Sequence, residues 1–152
     1  MITTAAFDKT IQQFEAKPKD AEKLLDKIEA EHELLLDILV GSNAESLTDD
    51  EADYLIFLFA ALFETFQREV GIKEYTQKQI EEAEEKAWEI INEKKDFNSS
   101  VARLYEISEE KDAVEFIELS LGPDDENEYN ITDTGRVIML AVLAGELMVF
   151  TD

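Results

Sequence analysis

"YLIFLFAALF" occupies Tyr54–Phe63, ten residues with no charge, glycine or proline. A stretch this short cannot cross a bilayer as a helix, which takes about 20 predominantly apolar residues. It also lacks the apolar–polar alternation of a half-buried strand. A helix that is apolar on every side has to be surrounded by other elements. This segment is therefore expected at the centre of a helical protein. "VIMLAVLAG" (Val137–Gly145) has the same character and is expected beside it.

Periodicity and end signals extend these two runs and set four amphipathic helices around them. The first covers about Thr3 to Ala16, with Phe7, Ile11 and Phe14 on one face. Pro18 biases Lys17 away from helix and suits the first turn of the second. That helix is expected to run unbroken from about Lys19 to Val40 and to stop at Gly41. Its stripe comprises Leu24, Leu25, Ile28, Leu35, Ile38 and Leu39. The third opens on "TDDE", a capping box from Thr48 to Glu51, and ends near Val70. The fourth opens on "TQKQ" (Thr76–Gln79) and runs to about Lys95. The fifth spans about Ser99 to Leu121, kinked near Ser108, with Leu104, Ile107, Val114, Ile117 and Leu121 inward. The sixth runs from about Thr132 to Phe150. The predicted class is all-α: a compact six-helix bundle forming one domain over 1–152, with the third and sixth helices central.

The two central helices are approached in the same way. "LLLDILVG" (Leu34–Gly41) and "EFIELSLG" (Glu115–Gly122) each interleave apolar residues with a carboxylate and end in glycine. A polar loop and an apolar–Thr–Asp start follow in both, "LTD" (Leu47–Asp49) and "ITD" (Ile131–Asp133). The pattern fits two pseudo-repeated three-helix units, 1–74 and 75–152. Independent use of common helix punctuation would produce it as well.

Charge is the least ordinary property of the chain: 37 acids against 14 bases, a formal net charge of −23. Such a protein repels nucleic-acid phosphates and anionic lipid, so neither nucleic acid nor a membrane is an expected partner. The acids are concentrated from Leu104 to Gly135, where eleven face a single base, Lys111. A basic protein is the expected partner, with Glu109, Glu110, Asp112, Asp124, Asp125, Glu126 and Glu128 as the candidate docking residues. Solubility alone accounts for the same composition. The start "MITTAAFDKT" has no basic segment followed by an apolar run, so a cytoplasmic location is expected.

Several chemistries are disfavoured by residue type. There is no cysteine, which removes disulfides, thiolate metal sites and a thiol nucleophile. No Walker A or G-x-G-x-x-G loop occurs. Counting Asp124 as position 1 of an EF-hand puts Tyr129 where glycine is needed and Gly135 where the bidentate glutamate belongs. His32, the only histidine, gives a Glu-x-x-His spacing from Glu29, but a di-iron bundle needs a second such motif.

The remaining candidate is a polar site between helices formed by His32 with Glu64 and Glu146, the lone carboxylates of the two central runs. Each carboxylate must be hydrogen-bonded, paired with a base such as Arg68, Arg103 or Arg136, or protonated. No cofactor and no metal are expected. The leading expectation is a non-enzymatic acidic interaction protein: an adaptor, an inhibitor or an immunity-type antagonist. A helical enzyme or metal-binding protein using the inter-helix His/Glu site is the alternative, and a self-associating structural protein, a homodimer, is a third.

Overall fold

A computed structural model describes residues 1–122 and 131–151. The described residues are helical with no strand, and they form a compact helical bundle. The elements are α1 (Thr4–Ala16), α2 (Pro18–Glu31), α3 (Glu33–Leu35), a π-helical segment (Leu36–Gly41), α4 (Ser42–Ala44), α5 (Asp49–Glu69), α6 (Gln77–Lys94), α7 (Phe97–Ile107), α8 (Lys111–Leu121) and α9 (Asp133–Phe150).

Capping chemistry sets several of these starts. Thr48 and Glu51 form a complete capping box at α5, and Thr76 and Gln79 form another at α6. Asp96 accepts from Ser99 N at the start of α7, and Thr132 accepts from Gly135 N at the start of α9. Each bond satisfies one of the amide donors that a helix N-terminus leaves without a partner.

The second predicted helix is not continuous. It breaks at His32 (φ −135°, ψ 43°) and resumes through α3, the π-helical segment and α4. The apolar stripe passes through the break, since Leu24, Ile28, Leu35 and Leu39 are all buried, so periodicity conceals it. Asn43 Nδ2 donates to the Leu39 carbonyl at 2.9 Å, satisfying an acceptor in the π-helical stretch. The fifth predicted helix divides fully where a kink was expected. Ser108 is extended and its hydroxyl accepts from Glu110 N, while Lys111 Nζ donates to the carbonyls of Tyr105 and Ser108. Because α7 ends at Ile107, that side chain is 45% exposed rather than inward.

α5 and α9 lie side by side and parallel. Their N-termini meet where Glu51 accepts from Thr132, and their C-termini meet where Phe63 and Phe66 pack on Phe150. Leu55, Leu58 and Leu62 on α5 and Met139, Val142 and Leu143 on α9 are withdrawn from water. Burying side chains of this size contributes roughly 1.5–3 kcal/mol each. α1 is pinned to α5 by a Thr10–Thr65 hydroxyl contact of 2.7 Å and by Arg68 donating to the Ala6 carbonyl. α6 approaches α9 more closely, through Ala83 and Ala87. A Cβ at Gly145 would sit 3.0 Å from Leu39 Cδ2 and 3.7 Å from Glu84 Cα. Glycine at this position lets the backbones of α6 and α9 come together with the Leu39 side chain packed against them. No helix among the described residues is long and apolar enough to cross a membrane.

Candidate functional site

α8 carries the first part of the acid-rich stretch, and two of its candidate docking residues have partners within the fold. Ile2 N donates to Glu110 Oε2 at 3.0 Å, and Thr4 N donates to Asp112 Oδ2 at 3.1 Å. Thr3, at the N-cap of α1, makes no side-chain cap of its own. Asp112 therefore accepts from the first amide of α1 and Glu110 from the residue before its N-cap, and together they fix the start of α1 against α8. Glu109 is exposed. Asp124, Asp125, Glu126 and Glu128 lie outside the described residues.

The contact between α1 and α8 creates a groove of about 450 Å³, floored by α5. Ile11, Phe57, Phe116 and Leu119 supply its apolar lining. Ile11 and Phe57 are half-buried and Leu119 is 68% exposed. Ile11, on the same face of α1 as Phe7 and Phe14, packs at the edge of the core and also lines this groove. The floor is braced by Tyr54, whose hydroxyl donates to the Ser120 carbonyl at 2.7 Å. The charged side chains lining it are acids, Asp8 and Glu15, both exposed.

Of the inter-helix trio, Glu146 is fully buried. Among the described residues neither carboxyl oxygen has a hydrogen-bond partner, and burial alone raises its pKa well above the ordinary 4.5. Of the three outcomes open to it, protonation is the one the structure supports. The arginines are engaged elsewhere: Arg68 with Ala6, Thr10 and Glu69, Arg103 with Glu106, and Arg136 with Leu121 and Asp133. Glu64 is half-buried. His32 packs edge-on against Phe63 at 5.4 Å between centroids. His32 lines two cavities, of about 360 and 460 Å³, together with Glu31 and Glu74, and their described lining includes neither Glu64 nor Glu146. Among the described residues no group of three His, Asp or Glu side chains is placed to hold a metal ion.

Glu51 holds a position that local sequence reading assigns only in part. It is 1% exposed. Oε1 accepts from Thr48 N at 3.0 Å, the expected capping box. Oε2 accepts from Thr132 N at 2.8 Å and from the Thr132 hydroxyl at 3.0 Å, 81 residues away. One carboxylate thus serves the N-caps of both central helices. Burial pushes its pKa up, but the donors of Thr48 and Thr132 together hold it below 4.5. Gly135, three residues after Thr132, leaves room for it, since a Cβ there would collide with the Glu51 carboxylate.

Two further features were not anticipated. Glu84, half-buried on α6, has its pKa raised, chiefly by burial, and is met by Asn43 Nδ2 only at 3.5 Å. A groove of about 820 Å³ lies between the end of α6 and the start of α9, with Trp88, Phe97 and Val137 beside Lys95 and Arg136. The Arg136 guanidinium stands 5.9 Å from the Phe97 ring centroid. Comparison with protein-family models, with curated proteins and with solved structures returned no match.

Proposed function

We propose that this is a non-enzymatic interaction protein whose acidic surface docks a basic protein partner, as an adaptor, an inhibitor or an immunity-type antagonist does. The observation that carries the reading is the surplus of acid left over after the fold has used its share. Against 37 acids there are 14 bases. The described ion pairs, such as Lys78–Glu82, Arg103–Glu106 and Arg136–Asp133, join residues no more than four apart. Carboxylates that are not neutralised internally create a field extending about a Debye length, roughly 8 Å at physiological salt, and speed encounter with a basic surface.

Affinity capture of the full chain's partners at low and at physiological salt tests the proposal. A basic protein should be retained, with an association rate that falls steeply as salt rises. Failure to retain any salt-sensitive basic partner at either salt would overturn it.

We also infer that the chain is built from two pseudo-repeated three-helix units, 1–74 and 75–152. In an 84-residue register Thr48 matches Thr132, Glu51 matches Gly135, Leu62 matches Glu146 and Phe66 matches Phe150. The first match pairs the two N-caps that share Glu51, and the last pairs two rings 5.2 Å apart. Near-axis contacts of this kind support a pseudo-twofold between the parallel central helices.

A further inference from the structure

The groove between α1 and α8 combines two properties that one kind of partner satisfies together. Leu119 is 68% exposed on a helix that buries Val114, Phe116, Ile117 and Leu121. A lone exposed leucine needs no explanation. Here, however, Ile11 and Phe57 stand half-buried beside it and extend the apolar surface across three helices. Asp8 and Glu15 flank that surface on α1, one helical turn to either side of Ile11. Among the described residues no basic side chain lines the groove. Lys111, the base of α8, is turned away to cap α7 through the carbonyls of Tyr105 and Ser108.

We propose that this groove receives a basic amphipathic helix of a partner protein, its apolar stripe laid along Ile11, Phe57 and Leu119 and its lysines and arginines set against Asp8 and Glu15. The proposal rests on the reading of this chain as a docking protein for a basic partner. It adds the place and the shape of the ligand. An amphipathic helix presents apolar residues at i, i+3, i+4 and i+7, and these enter a groove while charges on its flanks meet the rim. Glu110 and Asp112 contribute indirectly, by holding the start of α1 in the position that forms one wall.

The test uses a synthetic leucine–lysine peptide with helical spacing and a shuffled peptide of the same composition with no apolar face. Each is titrated into the full chain at physiological salt, with backbone NMR as the readout. The patterned peptide should bind about tenfold tighter than the shuffled one and shift the resonances around Ile11, Phe57 and Leu119. Leu119→Asp should remove this advantage even though it adds an acid, whereas Ile107→Asp, a second exposed apolar site, should leave it intact. Leu119→Ala should weaken binding in the same direction and serves as the check if the aspartate variant melts early.

Equal binding of both peptides, unchanged by Leu119→Asp, overturns the groove while the basic-partner reading stands. Failure of both peptides to bind even at low salt overturns both. A wild-type dimer that Leu119→Asp dissociates in sedimentation assigns the groove to a second copy of the chain and overturns the proposal.

Discussion

Glu51, in the first turn of α5, and Glu146, within α9, are both withdrawn from water and are accommodated by opposite means. Glu51 stays charged because the backbone amides of Thr48 and Thr132 and the Thr132 hydroxyl converge on it. Glu146 meets no donor among the described residues, and burial raises its pKa and so favours its neutral form. The difference teaches where a carboxylate is useful to a helical fold. At a helix N-terminus the unpaired amides and the positive end of the dipole favour the anion. In mid-helix every amide is already bonded, so a carboxyl group gains nothing from the backbone.

Glu51→Ala should produce the largest change. It strands the N-cap amides of two helices at once, and the expected loss is about 3 kcal/mol, read as a fall in Tm of roughly 10 °C. Gly135→Ala attacks the same site from the other side, because its Cβ needs the space that the carboxylate fills. A destabilisation of about 2 kcal/mol is expected, and it should shrink markedly in a Glu51→Ala background. A denaturant series on the two single variants and the double variant would show whether the sites are coupled.

Glu146→Leu should move stability the other way, by about 1–2 kcal/mol, since it removes an unpaired buried polar group without opening a cavity. Leu62 on the neighbouring α5 is itself fully buried. A chemical melt in which Glu146→Leu proves less stable than wild type would show that the carboxyl has a partner.

The smallest effects are in the pH dependence, where the two residues predict opposite slopes. Glu51 has a lowered pKa, so the unfolded state binds more protons and this part of the stability is lost as pH falls below about 4.5. Glu146 has a raised pKa, so the native state binds more protons and stability declines as pH rises above about 4.5. Each slope is at most about 1.4 kcal/mol per pH unit. Glu51→Gln should flatten the acid limb of a stability–pH curve and Glu146→Gln the limb above it.

Local signals were well expressed in the sequence. The helix starts at Thr48, Thr76 and Thr132 rest on bonds between residues three apart, and the central position of "YLIFLFAALF" follows from its all-round apolarity. Glu146 was visible as a lone carboxylate for the same reason. What escaped reading depends on distant partners. The bond from Thr132 to Glu51 spans 81 residues, and those from Ile2 and Thr4 to Glu110 and Asp112 span 108. No periodicity encodes such bonds, so acids read as docking residues include two that hold α1 in place. The break at His32 was hidden because the stripe on either side keeps its spacing, and Ile107 was placed inward because a periodic face does not mark where its helix stops.

These residues sort the carboxylates into those the fold employs and those it leaves to solvent. Glu51, Glu110 and Asp112 accept backbone donors, Asp96 caps α7, and Glu118 accepts from the Tyr105 hydroxyl at 2.8 Å. Asp8 and Glu15 are exposed on the groove. Carboxyl-carbon NMR on the full chain, titrated with acid and base and then with the patterned basic peptide, tests this sorting most directly. Glu146 should titrate well above 4.5 and Glu51 below it, and the peptide should move the Asp8 and Glu15 signals while leaving both buried groups unmoved. A Glu146 that titrates at the ordinary value, or a peptide that leaves Asp8 and Glu15 untouched, would contradict the account.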